Sequence, residues 1–319
     1  MRGPDRGAVP AAGDGSRPLA RPRGGSRGRV CHAVAMARIA IIGGGNMGEA
    51  LLAGLLAAGR PVKDLVVAER FGDRARQLSE KYSVLVTSVA DAMENASIVV
   101  IAVKPQDVDS VVAEFAKNVT AASGDSPDQV LVSIVAGVTT GYVESKLPAG
   151  AAVIRVMPNT PVKVGAGASA LAKGRFPSAE QVDQVAALFE CVGTVAIVPE
   201  DQLDAVTAVS GSGPAYFFLM VEALVDAGVA AGLSRQAATD LAVQTMAGAA
   251  QMLLDGRGET AGTAVIDTGP AQLRAMVTSP GGTTAAALRE LEAGGLRTSV
   301  DRAVQAAKTR SEQLRITSE

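Results

Sequence analysis

At 319 residues, 48% of them apolar and 35 of them glycine, the chain is long enough for two packed domains and reads as globular. A formal net charge of −2 and 3% aromatic residues leave neither a basic footprint nor stacking platforms for nucleic acid. The one histidine, His32, leaves everything after it without an imidazole, which excludes Ser-His-Asp and Cys-His hydrolysis, histidine-bound zinc and dehydrogenation by a histidine acid or base.

Residues 1–35 carry seven arginines and two aspartates among scattered Gly and Pro, with no apolar period of either kind. The segment is expected to be disordered, and its arginine-rich, acid-poor composition lacks the amphipathic helix of a transit peptide. Translation is expected to start naturally at Met36. Cys31 lies in this segment and Cys191 far downstream, so the two predict no disulfide framework and no metal spacing, in keeping with a reducing cytoplasm.

From Met36 onward, strand-like runs at Arg38–Ile42, Leu65–Ala68, Ile98–Val103, Val130–Val135 and Ala152–Val156 alternate with helical stretches. That rhythm predicts an α/β domain with a parallel, doubly wound sheet. Further runs at Ala168–Ala172 and Val195–Val198 extend the sheet. After Pro199 the strand signal ends and helices follow, separated by Ser, Gly and Pro punctuation. The expected division is a disordered extension over 1–35, a Rossmann dinucleotide-binding domain over 36–199 and an all-α helical domain over 200–319. The longest apolar stretch, Ala215–Leu233, is interrupted by Glu222 and Asp226 and is expected to be a buried helix, not a membrane span. It and Leu241–Leu254 are apolar or small on nearly every face, which predicts burial at a subunit interface.

Ala37–Gly48 reads ARIAIIGGGNMG, a strand running into G-x-G-x-x-G ahead of a helical pattern over Glu49–Ala58. Gly43 permits the tight turn, Gly45 the approach of a pyrophosphate and Gly48 the packing of helix on strand, with the helix N-terminus attracting the anion. At the end of the second strand stand Glu69, suited to a ribose 2′-hydroxyl, and Arg70, suited to a 2′-phosphate; the reading favours NADP, with NAD left open. The strand ending Ala102-Val103-Lys104-Pro105 reaches the carboxyl edge of the sheet, where ligands collect. Asn159, after another strand, offers a donor and an acceptor to a ribose or carboxamide, or else forms only a turn.

In the helical half, Ser279-Pro280-Gly281-Gly282-Thr283-Thr284 precedes the helical stretch Ala285–Leu291 and presents glycines and hydroxyls at a helix N-terminus, an anion site for a small carboxylate. The competing reading is that Thr283 or Thr284 only caps the helix. Ser210 and Ser212 have no base to activate them and are read as packing residues. From Gly174 to Ala307 there is no lysine, and Tyr216 is the only tyrosine in the helical half. Reduction of a C=N bond suits such a site, because a protonated imine already carries the charge that draws a hydride; a carboxylate site and the hydroxyl of Thr207 would suffice.

Taken together, IIGGGNMGEAL, AVKPQ, RVMPNTP, DAVTAVSGSGPAYFF and LRAMVTSPGGTTAAALRELEAGG, in that order, resemble pyrroline-5-carboxylate reductase over Met36 to about Ile316. The resemblance implies NAD(P)H-dependent hydride transfer to C5 of 1-pyrroline-5-carboxylate, giving L-proline as the last step of its biosynthesis. It also implies a Rossmann domain followed by a helical dimerisation domain that builds each active site at a homodimer or larger homo-oligomer interface. Cofactor contacts are implied for Gly43, Gly44, Gly45, Asn46 and Met47, and for Arg70, Val103, Lys104, Ala136 and Asn159. Ser279, Thr283 and Thr284 would hold the substrate carboxylate, Thr207 would lie near the ring nitrogen, and Glu200 matches a position lining the substrate site. Rival readings are another Rossmann-plus-helical reductase, F420-dependent or of the β-hydroxyacid type, and a dinucleotide-sensing module without catalysis.

Overall fold

The computed structural model describes residues 38–121, 129–255 and 269–316; the segment 1–35, expected to be disordered, and Met36, the expected start, lie outside them. Eight strands form one sheet in the order β3-β2-β1-β4-β5-β6-β7-β8. They are β1 (Ile39–Ile42), β2 (Leu65–Ala68), β3 (Leu85–Thr87), β4 (Ile98–Ile101), β5 (Val130–Ser133), β6 (Ala152–Met157), β7 (Gly167–Lys173) and β8 (Gly193–Ile197). Every pairing is parallel except β6 with β7.

The inner strands are apolar throughout because both faces are covered. Ile39 and Ile41 enter one apolar cluster, with Leu51, Leu55 and Phe189, while Ala40 and Ile42 enter the other, with Val112 and Phe115. Two residues of period on a pleated strand produce that division. Helices α1 (Asn46–Ala57), α2 (Gly72–Tyr82), α3 (Val89–Met93), α4 (Val108–Ala121), α5 (Thr140–Glu144) and α6 (Ala179–Glu190) connect the strands.

Two details correct the sequence reading. Strand β3, absent from the sequence reading, is a three-residue edge strand at the short apolar run Val84–Val86, with Leu85 exposed. The runs at Ile98–Val103 and Val130–Val135 leave the ladder two residues early, at Ile101 and Ser133, and their last residues turn toward the carboxyl edge. Cys191 follows the last residue of α6 and is buried. The other cysteine, Cys31, lies outside the described residues.

Helices α1 and α2 are joined at Glu49, whose carboxylate accepts from Lys81 Nζ at 2.8 Å and Tyr82 OH at 2.8 Å and pairs with Arg74. Lys81 and then Arg74 hold its pKa at about 2, against an ordinary 4.5. A depressed carboxylate pKa adds stability above the unfolded value and loses it as pH falls toward the folded one. Folded protein is therefore expected to lose stability between pH 4.5 and about 2, and Glu49→Gln to flatten that part of a circular-dichroism acid titration.

After Ile197 the described residues form only helices and turns: α7 (Leu203–Val206), a π-helical turn over Thr207–Gly211, α8 (Gly213–Ala230), α9 (Arg235–Asp255), α10 (Pro270–Met276), α11 (Thr283–Ala293) and α12 (Leu296–Gln313). The expected buried helix is not buried by its own chain. Phe217, Phe218 and Leu219 on α8 are 62%, 65% and 66% exposed. The run Glu200–Ala230 is long and apolar enough to cross a membrane by length and composition alone, and Glu222 and Asp226 lie on it.

Candidate active site

The sheet order reverses at β1, with β2 on one side and β4 on the other, and the crevice at the carboxyl ends of these strands is where an open α/β sheet binds ligands. Gly43 leaves β1 with φ +107° and donates its N–H to the Ala68 carbonyl at 2.8 Å. A Cβ on Gly43 would lie 2.8 Å from the Ala102 oxygen, and one on Gly48 would lie 2.0 Å from the Gly43 oxygen. At Gly45, the N-cap of α1, an added Cβ meets nothing within 4 Å. The first amides of α1 are thus reached from open space through a turn too tight for side chains, a cradle that fits a pyrophosphate.

Gly44 is gripped on both sides: its N–H donates to Glu69 Oε2 at 2.9 Å and its carbonyl accepts from Arg74 Nε at 2.9 Å. The other Glu69 oxygen accepts from the Phe71 N–H at 2.9 Å. Arg70 pairs with Asp107 at 2.7 Å and lies over the Phe71 ring. Neither charge is a loose surface group, although Arg70 is exposed and its pair is easily exchanged. Ala102 and Val103 are half-buried beside the turn, Lys104 and Pro105 are exposed at the start of a short 3-10 turn, and Ala136 is exposed after β5.

Asn159 is only 7% exposed, and both ends of its amide bond within the chain. Its Nδ2 donates to the Ser210 carbonyl at 3.0 Å and its Oδ1 accepts from the Ala168 N–H at 2.9 Å. It is more than a turn residue, because it ties the end of β6 to the π-helical turn of the helical half. Each end of the amide thus makes one internal bond, which satisfies a backbone group, and keeps a second hydrogen or lone pair.

Thr207 opens the π-helical turn, a geometry frequent at functional sites. Its Oγ1 donates to the Leu203 carbonyl at 2.8 Å, which leaves the oxygen as an acceptor. Ser210 Oγ likewise donates back to Val206, at 3.0 Å, in keeping with a packing role. Glu200 accepts from the Thr140 N–H at 2.8 Å, from Thr140 Oγ1 at 2.6 Å and from Arg155 Nη1 at 3.3 Å. Three of its roughly four acceptor positions are filled and one is left for a ligand.

In the SPGGTT segment, Gly281 adopts φ +70° and the Gly282 N–H donates to the Ser279 carbonyl at 3.1 Å. Gly282 is the N-cap of α11 and no side chain caps the helix, so the reading of Thr283 or Thr284 as a cap does not hold. Both hydroxyls stand in the first helical turn. Among the described residues, no hydrogen bond or ion pair joins Ser279–Thr284 to Thr207 or to the glycine turn of the same chain.

Residues 200–314 match a family model described as pyrroline-5-carboxylate reductase dimerisation, and residues 38–137 match one described as NADP oxidoreductase, coenzyme F420-dependent. A pyrroline-5-carboxylate reductase of Mycobacterium tuberculosis is 66% identical over 292 residues, which cover 89% of this chain and 99% of that protein. The chain belongs to the pyrroline-5-carboxylate reductase family. The Mycobacterium leprae reductase is 65% identical over 291 residues, with the same coverage. Among solved structures, the Coxiella burnetii reductase has a TM-score of 0.77 at 36% identity, covering 88% of this chain and 99% of that one. The Plasmodium falciparum reductase, solved with NADP bound, has a TM-score of 0.72 at 28% identity, covering 88% and 98%. The F420-type match is confined to the nucleotide-binding part, which other reductases share, so that rival reading gives way to the reductase family.

Reading the motifs for ligand contacts missed the residues that hold this family's fold around the crevice. Arg155 stands in the otherwise apolar strand β6 and is buried. A charge in a strand covered on both faces must be paired, and that signal leads to Glu200. Asp204, Ser311 and Arg315 gave no such signal, because their meeting depends on the return of α12 to α7.

Proposed function

We infer that this chain is a pyrroline-5-carboxylate reductase that reduces 1-pyrroline-5-carboxylate to L-proline with NADPH. The observation that carries the reading is 66% identity to a reductase over 99% of that relative's length. The glycine cradle at the switch point adds the physical means of holding the dinucleotide. When bound, the nicotinamide supplies the hydride; the chain's own residues bind and orient. Oγ1 of Thr207 has its proton engaged with Leu203, so it suits the N–H of a protonated imine, a donor, and not an unprotonated nitrogen. The open amides at the start of α11, with Ser279, Thr283 and Thr284, suit the ring carboxylate. Glu200, held by Arg155 and Thr140, lines the site.

The exposed apolar surfaces of α8 and α9 support a homodimer or larger homo-oligomer, in which one subunit's SPGGTT segment meets the partner's crevice. The family model over 200–314 supports the same reading. The proposed domains remain a Rossmann unit over 36–199 and a helical unit over 200–319, and the dependence on NADPH suits the cytoplasm. Arg70 and the NADP-type family match favour NADPH, while Glu69 keeps NADH as a second donor.

The test is oxidation of NADPH and of NADH by folded protein given the imine. Turnover is expected with NADPH in excess of NADH, and no turnover with either overturns the reading. Thr284→Val is expected to raise KM for the imine about tenfold, the loss of one hydrogen bond to a charged group, with NADPH affinity unchanged. An unaltered KM removes Thr284 from the carboxylate site.

A further inference from the structure

We propose that the segment Ser311–Ile316 is a strap that sets the register of the Thr207 turn, with Asp204, Ser311 and Arg315 as positioning residues for imine reduction. The proposal rests on the reading that Thr207 faces the imine. Asp204 lies on α7, three residues before Thr207, and is 1% exposed. Its Oδ1 accepts from Ser311 Oγ at 2.6 Å and its Oδ2 pairs with Arg315. Both partners come from more than a hundred residues further along the chain.

An ion pair between the buried Asp204 and Arg315, whose side chain is 38% exposed, adds little stability, because water screens the cation while the carboxylate bears a desolvation cost. What the charged cluster adds is direction. Ser311 and Arg315 reach Asp204 in one register of α12 against α7, and the next element on that helix is the turn bearing Thr207. That turn needs external support, since π-helical geometry is rarely stable by itself. Asn159 holds its far end through the Ser210 carbonyl, and the strap holds its near end through Asp204. The strap then continues to the cofactor edge, where the Ile316 N–H donates to the Gly137 carbonyl at 2.9 Å. Gly137, at φ +78°, admits the Leu314 oxygen to 2.2 Å from the place its Cβ would occupy. One short segment thus touches the element before Thr207 and the residue after Ala136.

The experiment uses the full chain with NADPH and the imine, comparing Ser311→Ala, Arg315→Leu and Arg315→Lys. Per mole of folded protein, Ser311→Ala is expected to lower kcat/KM for the imine about tenfold and Arg315→Leu about a hundredfold, the scale of an ångström's misplacement. Arg315→Lys is expected to restore part of the loss, and the Kd for NADPH, from quenching of its fluorescence, to stay within about twofold throughout. Variants that only melt earlier, with wild-type kcat/KM in their folded fraction, overturn the proposal. So does a parallel loss of NADPH affinity, which would place the effect at Gly137. Should Arg315→Leu fail to fold, Ser311→Ala decides, because it keeps the ion pair. Wild-type protein that binds NADPH yet leaves the imine untouched would instead overturn the functional reading.

Discussion

Gly48→Ala is expected to raise the Kd for NADPH about a hundredfold or more, the cost of moving a binding group by an ångström, and to lower the melting temperature. The added Cβ would sit 2.0 Å from the Gly43 oxygen, 3.1 Å from its carbonyl carbon and 3.4 Å from the Ala102 Cβ. The first two are backbone atoms, which no rotamer change can move aside. Relief requires α1 to retreat from β1, and the amides that would meet the pyrophosphate retreat with it. Alanine's better helix propensity returns about 1 kcal/mol, too little to offset such a contact. Gly45→Ala is the control. Its Cβ meets nothing within 4 Å, so its melting temperature should stay near wild type while NADPH affinity falls, because the methyl occupies the pyrophosphate's approach. Thermal melts and a fluorescence titration of both variants suffice, and near-normal affinity in Gly48→Ala would refute the cradle.

Asn159→Leu is expected to cost about 2–6 kcal/mol of stability at most, the sum for two part-buried backbone groups left unpaired. The leucine has similar volume but neither accepts from Ala168 nor donates to Ser210. Freed from Ser210, the π-helical turn also loses its hold on Thr207, so kcat for the imine should fall in the folded protein while the Kd for NADPH changes little. If Asn159 served the cofactor instead, NADPH affinity would carry the loss. Urea unfolding and a dinucleotide titration separate the two roles.

Several parts of the site were legible because they answer to local rules. The glycine turn is one: a strand, three glycines at fixed offsets and a helix start are consecutive in the chain, and only glycine fits at Gly43 and Gly48. The apolar runs of β1, β2 and β4 are another, since a sheet covered on both faces needs no alternation. Edge strand β3 was invisible for the same reason, being half in water. The sequence favours NADP through Arg70 without showing how Glu69 and Arg70 are held, because each side chain's partner, Gly44 in one case and Asp107 in the other, comes from a different loop.

By itself, then, the sequence determined a parallel sheet with a dinucleotide turn at its first strand, a helical half without histidine and without lysine before Lys308, and a set of ordered motifs that resemble one reductase family. These follow from spacing and residue type within a few residues of one another. Only the tertiary structure decided that Asn159 ties β7 to the π-helical turn, that Glu200 is steadied by Arg155 and Thr140, and that Ser311 and Arg315 return to Asp204. Each of those joins groups far apart along the chain, and hydrogen bonds act over about three ångströms in space whatever the separation in sequence.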